Sequence, residues 1–195
     1  MNHRSNVTVG LLTLLSIVAF TRGVCAATVG ANGYTNGFGT QPVSADWSTL
    51  SLGSSAGAIS TAAGLDAAVQ NIAATSIGTP TTPDSGNPPA LAATAVWSSS
   101  GFYLQTRATV NDATLLMCTL VNNLGVAAIG ANISYDFSKI TPITEEIEGH
   151  RAYYSLTGAP GSWTVIPAFS SANPGRLTAN LNITWPNGGA LYLLW

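Results

Sequence analysis

The stretch Arg176–Thr184 reads RLTANLNIT, and its strict alternation of apolar and polar side chains is typical of a β-strand with one buried face. Leu177, Ala179, Leu181 and Ile183 share one face, and polar side chains occupy the other. Because side chains repeat every second residue in a strand, a slip by one residue would turn the polar face into the core. The stretch therefore predicts a strand of fixed register that packs on a hydrophobic core.

Similar short stretches recur from Leu91 onward, and turn signals separate them at spacings of about ten residues. The predicted strands are 93–97, 102–109, 115–122, 131–137, 149–156, 163–166, 176–184 and 190–195. Regular short strands with turns between them are typical of sandwiches and jelly rolls. We predict a mainly β protein, an antiparallel β-sandwich of jelly-roll type with one short helix in its N-terminal half.

The first part of the domain, residues 27–90, is rich in glycine, alanine, serine, threonine and proline. Within it, Trp47–Leu52 alternates and predicts a first strand, and Ala62–Ile77 carries an apolar stripe at helical spacing. Thr79–Pro89 holds four prolines and predicts a loop or linker. We expect one domain over residues 27–195, in which residues 27–90 wrap a strand-rich core formed by residues 91–195.

The N-terminus has the pattern of a secretory signal peptide over residues 1–26. A short region with His3 and Arg4 precedes the uncharged, mostly apolar stretch Val7–Phe20, and small residues stand at Val24 and Ala26. The apolar stretch is shorter than the roughly 20 residues that span a bilayer, which disfavours a retained anchor. We predict cleavage after Ala26 and a secreted or cell-surface location without further membrane contact.

The charge of the chain disfavours several kinds of partner. When Arg4 and Arg22 leave with the signal peptide, the six basic and eight acidic side chains become four and eight, a net charge of −4. Binding of DNA or RNA needs a basic stripe, and anionic lipid attracts polybasic segments. We therefore expect no nucleic-acid partner. The partners that we expect are extracellular polysaccharide or cell-surface components.

Several phrases carry a resemblance to a known type of domain. They are NGFGTQ (36–41), DWST (46–49), LDAAVQ (65–70), LLMCTLVNNLG (115–125), GHRAYYSLTG (149–158), SWTVIP (162–167) and ALYLLW (190–195). Together they resemble a jelly-roll domain of exported multidomain bacterial proteins of planctomycete and verrucomicrobial type, some of which carry lamin-tail domains or a PEP-CTERM tail. The resemblance implies a β-sandwich at the cell surface and no catalytic signature.

The chain ends on the apolar stretch Ala190–Trp195, directly after the turn signal Pro186–Gly189. In the domains it resembles, such a strand continues into an acidic loop and one more strand, so we expect the domain to be incomplete at its C-terminus. A missing strand would leave Ala190–Trp195 as an exposed sheet edge, which favours aggregation. The sequence therefore predicts a poorly soluble fragment.

Candidate catalytic residues are few. Cys118 lies in an apolar run and is expected to be a buried core thiol, since a nucleophile needs a base and a partly exposed setting. His150 has no Gly-x-Ser-x-Gly elbow to accompany it and is expected to be a solvent-facing strand residue. One histidine and one cysteine do not make a zinc site. We predict no enzyme activity and no cofactor.

Two weaker ligand sites remain open. Glu145, Glu146 and Glu148, joined in space by Asp136, are a candidate calcium site, although solvated loop charges are the favoured interpretation. Sugars stack on exposed aromatic rings, and Tyr153 is the aromatic that we expect to point outward and bind a ligand. The favoured function is a non-catalytic extracellular structural, adhesive or surface-display module of a larger exported protein. The alternative is a glycan-binding accessory module of a secreted hydrolase.

Overall fold

A computed structural model of the chain describes residues 26–53, 59–90, 92–107, 112–139, 147, 150–170 and 173–195. Over these residues the protein is mainly β, with largely antiparallel sheets and one α-helix in the N-terminal half, as predicted. The arrangement is consistent with a β-sandwich. The predicted signal peptide lies outside the described residues apart from Ala26.

The strands are numbered in chain order. They are β1 Ala27–Val29, β2 Trp47–Leu52, β3 Thr79–Pro80, β4 Thr82–Asp84, β5 Val96–Ser98, β6 Tyr103–Gln105, β7 Ala113–Asn122, β8 Ala131–Phe137, β9 Tyr153–Ser155, β10 Thr164–Val165, β11 Gly175–Leu181 and β12 Ala190–Leu194. Helix α1 spans Ala62–Gln70, and short 3₁₀ turns cover Ala74–Ser76 and Pro167–Phe169. Strands β2 and β8 have the bounds that the sequence predicted, whereas β5, β6, β9, β10, β11 and β12 are shorter and β7 is longer.

The largest sheet is built around β7. Its strands follow the order β10, β9, β12, β7, β2, β3, and β1 pairs in parallel with the last residues of β7. β12 lies antiparallel to β7 on one side and to β9 on the other, with Leu193 opposite both Cys118 and Tyr154. The sequence predicted that β12 would be an exposed edge. That prediction is wrong, because both sides of the strand are hydrogen-bonded to neighbours.

Two smaller sheets make up the rest of the β-sheet structure among the described residues. β8 and β11 form an antiparallel pair in which Leu177 faces Tyr135 and Leu181 faces Ala131. β4, β5 and β6 form the other, and the pairing of β4 with β5 is parallel. The proline-rich segment Thr79–Pro89 was predicted to be a loop or linker, but it contains two short strands, β3 and β4. Its turn is fixed by Asp84, whose carboxylate accepts hydrogen bonds from the backbone of Gly86 and Ala90.

The large sheet has a hydrophobic core on each of its faces. Because side chains alternate along a strand, Cys118 and Leu120 of β7 point to one face and Leu115 and Met117 to the other. The first core lies between the large sheet and the β8–β11 pair, and its buried residues include Ala179, Leu181, Ile183, Leu191 and Leu193. This placement confirms that the alternating side chains of the stretch 176–184 turn their apolar face inward.

The second core lies under helix α1. Thr61 caps the helix, since its Oγ1 accepts a hydrogen bond of 3.0 Å from the N–H of Gly64. The apolar stripe of the helix then places Val69 against Leu194 and Tyr153 in a cluster that also holds Trp163. Helix α1 thus covers this face of the large sheet. Among the described residues, no helix is long and apolar enough to cross a membrane.

Candidate functional site: a groove between two sheet edges

Tyr153, predicted to face outward and bind a ligand, is only 1% exposed. Its ring packs in the second core, and its hydroxyl donates a hydrogen bond of 2.7 Å to Oδ1 of Asp66. The predicted orientation is wrong because helix α1 covers the face of β9 that the alternation assigned to solvent. The hypothesis that Tyr153 binds a glycan required an exposed ring, and the ring of Tyr153 is buried.

Asp66, Arg151 and Tyr153 form a polar network that joins the helix to the sheet. Nε and Nη2 of Arg151 each donate to one carboxylate oxygen of Asp66 at 2.8 Å. Partial burial alone would raise the pKa of Asp66, but the hydrogen bonds from Arg151 and Tyr153 and the positive charge of Arg151 outweigh it and lower that pKa. Burial and the neighbouring carboxylate together raise the pKa of Tyr153. The network therefore ties two layers together.

His150 lies among aromatic side chains at one end of the first core. Its Nε2 is 2.5 Å from the hydroxyl of Tyr135, and its ring centroid is 4.1 Å from that of Phe137. Burial raises the pKa of Tyr135 to about 12. The prediction of a solvent-facing histidine is wrong, since the side chain is half-buried. Its contacts are those of a packed residue.

Cys118 is a free, buried thiol in the first core, as the sequence predicted. Burial, together with the negative charge of Asp46, raises its pKa well above the ordinary value. A thiol held in its protonated form is a poor nucleophile. Cys118 is therefore suited to packing.

The predicted calcium site cannot be assembled from the described residues. Glu145, Glu146 and Glu148 lie outside them, so this prediction stays untested. Asp136 is exposed and forms an ion pair of 3.3 Å with Arg176 across the β8–β11 pair. Among the described residues, no three acidic, histidine or cysteine side chains come close enough to hold a metal ion.

A groove opens on the side of the sandwich where the edges of two sheets face each other. β10 forms the edge of the large sheet, and β11 is the neighbouring strand of the β8–β11 pair. The groove between them is open to solvent and has a volume of about 440 Å³. It is lined by Tyr154, Thr164, Val165, Ile166, Pro167, Ala168, Thr178, Ala179, Asn180, Leu181 and Asn182. We call this surface the edge groove.

The lining of the edge groove combines an apolar floor with uncharged polar walls. Ile166, Ala179 and Leu181 are buried at its base. Exposed hydroxyl and amide side chains rise above them: Thr164, Thr178, Asn180 and Asn182. Such a lining offers donors and acceptors without charge, and no described residue that lines the groove is acidic or basic.

Tyr154 is the aromatic side chain of the edge groove. It packs against the first core, is half-buried and is one of the residues that line the groove. It stands opposite Thr164 in the β9–β10 pair, which places a hydroxyl side chain beside the ring. The aromatic residue at the edge groove is therefore Tyr154, the immediate neighbour of Tyr153, which the sequence predicted as the ligand-binding residue.

The backbone of both edge strands also borders the groove. Ile166 N–H donates to Ala152 C=O at 2.7 Å, and Thr164 pairs with Tyr154, so Val165 directs its N–H and C=O away from β9. Alternate residues of β11 likewise direct theirs away from β8. The edge groove thus offers directional hydrogen-bonding groups in addition to its side chains.

No signal in the sequence located this site. Tyr153 and Tyr154 are adjacent and therefore point to opposite faces of β9. Alternation alone cannot tell which of these two faces another element of the fold covers. The groove forms where β10 of the large sheet lies beside β11 of the β8–β11 pair, and no local pattern in the sequence records that two separate sheets meet there. A comparison with family models, with curated proteins and with solved structures finds no match for the chain.

Proposed function

We propose that the chain is a non-catalytic extracellular module with a structural or adhesive role in a larger exported protein. The edge groove carries this proposal, because it is an open surface with an uncharged lining between strands β10 and β11. The pattern of residues 1–26 supports export. The resemblance of the domain to modules of exported bacterial proteins points to the same setting.

The use made of charged side chains also supports a scaffold role. Asp66 and Arg151 tie helix α1 to the large sheet, and Asp84 fixes a turn through backbone hydrogen bonds. Asp136 and Arg176 link β8 to β11 on the outer face. These contacts connect elements of the fold, and none of these side chains lines the edge groove.

Export is tested by expressing the full chain with a C-terminal reporter in a Gram-negative bacterium and fractionating the cells. We expect the reporter outside the cytoplasm and a new N-terminus at Ala27, read by mass spectrometry. A chain carrying Val24→Asp and Ala26→Asp, which removes the small residues of the cleavage site, is the matched control and should stay unprocessed. An unprocessed wild-type chain in the cytoplasm would contradict the proposal.

Adhesion is tested with beads coated with the purified protein. We expect the beads to bind cell-envelope preparations more than uncoated beads do, and Thr178→Glu to reduce that binding, because it places an acidic side chain in the edge groove. Ile129→Glu is the control, since Ile129 is 86% exposed and is not a lining residue. Hydrolysis of a substrate by the purified protein would overturn the non-catalytic assignment.

A further inference from the structure

We infer that the edge groove binds an uncharged glycan chain, with Tyr154 as the ring on which a sugar packs. This inference names the ligand class of the adhesive surface and so rests on the proposed function. It moves the binding aromatic from Tyr153, which is buried, to a residue whose ring borders an opening.

The first step of the argument is the chemistry of the walls. Sugar hydroxyls both donate and accept hydrogen bonds, and threonine hydroxyls and asparagine amides do the same. Four such side chains, on two separate segments, surround the opening: Thr164, Thr178, Asn180 and Asn182. A charged ligand would find no countercharge among the described lining residues, so the walls favour a neutral partner.

The second step concerns how these groups are held. Oδ1 of Asn180 accepts a hydrogen bond of 2.6 Å from Nδ2 of Asn132 on β8. This contact fixes the orientation of the Asn180 amide and leaves its Nδ2 as the donor group. A polar side chain that is positioned before the ligand arrives loses less conformational entropy on binding.

The third step is the shape of the site. Residues 178–182 line it consecutively, which corresponds to an edge of roughly 13 Å at about 3.3 Å per strand residue. An elongated opening with an aromatic ring beside it suits several units of a chain. The apolar floor at Ile166, Ala179 and Leu181 suits the C–H face of a sugar ring, as does the face of Tyr154.

An extended peptide is the competing occupant, because edge strands can accept another strand through their backbone groups. Strand addition takes its affinity from main-chain hydrogen bonds, whereas glycan binding depends on the polar side chains of the walls and on the Tyr154 ring. The polar side chains around Tyr154 favour the glycan. The two occupants therefore predict different responses to substitution of the walls.

The test is a titration of the full protein with uncharged oligosaccharides, cellohexaose, xylohexaose, mannohexaose and chitohexaose, followed by calorimetry and by NMR of asparagine side-chain amides. We expect at least one to bind and to shift the Asn180 and Asn182 amide signals. We expect Tyr154→Ala to weaken binding about ten-fold or more, as loss of a buried aromatic anchor does in other interfaces.

Matched variants keep the test interpretable. Tyr192→Ala is the control for Tyr154→Ala, because Tyr192 is also half-buried on the large sheet but packs in the second core. It should leave binding unchanged. If Tyr154→Ala fails to fold, the exposed substitutions Asn180→Asp and Asn182→Asp should each weaken binding several-fold.

The outcomes separate this inference from the proposed function. Absence of binding to all four oligosaccharides, or equal binding by Tyr154→Ala and Tyr192→Ala, would overturn the glycan site. In a further outcome, an alternating apolar–polar peptide abolishes the adhesion of the coated beads and the oligosaccharides have no effect. This result would show that the groove binds a peptide strand, and the adhesive role would be retained. Loss of adhesion alone, with oligosaccharide binding retained, would contradict the adhesive role.

Discussion

At the scale of single residues, Asp66 is the carboxylate on which the attachment of helix α1 depends. It accepts two hydrogen bonds from Arg151 and one from the buried Tyr153. Its side chain is 33% exposed, so solvent weakens the ion pair but does not replace the hydrogen bonds. Removing the charge would leave the hydroxyl of Tyr153 without its charged acceptor.

We expect Asp66→Asn to lower the free energy of unfolding at pH 7 by about 1–2 kcal/mol, the range for charge-assisted hydrogen bonds that are partly solvated. The pKa of Asp66 is lowered in the folded protein. Its stabilising contribution is therefore complete above the unfolded pKa of about 3.9 and is lost as the pH falls through the folded pKa. The difference between wild type and variant should shrink over that acidic range.

Urea unfolding of both proteins at neutral and acidic pH measures this difference. Burial raises the pKa of Asp46 in both proteins, so the effect of Asp46 on the pH dependence of stability cancels when the two are compared. Asp136→Asn is the matched control, since its ion pair with Arg176 is exposed and should contribute less than about 0.5 kcal/mol. A difference for Asp66→Asn that stays constant from pH 7 to pH 2.5 would count against the network.

Adjacent tyrosines show where residue-level prediction fails. Alternation correctly placed Tyr153 and Tyr154 on opposite faces of a strand. The prediction that Tyr153 faces solvent assumed that no other element packs on its face of β9. Helix α1 packs on that face, so the assumption is wrong. Since the helix comes from a distant part of the chain, no local pattern around residue 153 carries the information.

At the scale of elements, β12 is the strand that differs most from its expected role. Its apolar residues alternate between cores, with Leu191 and Leu193 in the first and Leu194 in the second. A continuous apolar run is the pattern of a strand buried on both faces. The sequence of Ala190–Trp195 thus describes a central strand.

We expect Leu191→Ala and Leu194→Ala each to destabilise the protein by about 2–5 kcal/mol, the cost of a cavity in a packed core. Both side chains are 0% exposed. Ile129→Ala is the control, because a side chain that is 86% exposed should change stability by less than about 0.5 kcal/mol. Thermal unfolding provides the measurement, and an effect of Leu194→Ala as small as that of Ile129→Ala would show that β12 is not central.

Elements with strong local patterns were predicted well. The bounds of Trp47–Leu52 and Ala131–Phe137 are as expected, and the helix predicted within Ala62–Ile77 is present over its first part, Ala62–Gln70. The proline-rich segment was not predicted as strand, because Thr79–Pro80 and Thr82–Asp84 gain their extended conformation from pairing with β2 and β5. Such short strands are stabilised by pairing with a neighbouring strand, and their own sequences show no alternation of apolar and polar residues.

At the scale of the whole molecule, the large sheet serves as the shared wall of two cores. β7, β9 and β12 each contribute side chains to both. Detaching helix α1 would expose Met117, Leu194 and Tyr153 to water, and detaching the β8–β11 pair would expose Leu191 and Leu193. Neither outer layer can leave without uncovering an apolar face of the central one.

This arrangement predicts cooperative unfolding of both cores. We expect Val69→Ala, which shortens a fully buried side chain of α1, to cost about 1–3 kcal/mol and to raise hydrogen exchange in β8 and β11 as much as in α1. Leu181→Ala, in the first core, is the reciprocal variant and should raise exchange in α1. Mass spectrometry of peptides from each layer, at denaturant concentrations below the midpoint, reads both responses. If Val69→Ala increased exchange in α1 alone while β8 and β11 kept their protection, the helix would be a separately unfolding layer, and the central sheet would hold the first core by itself.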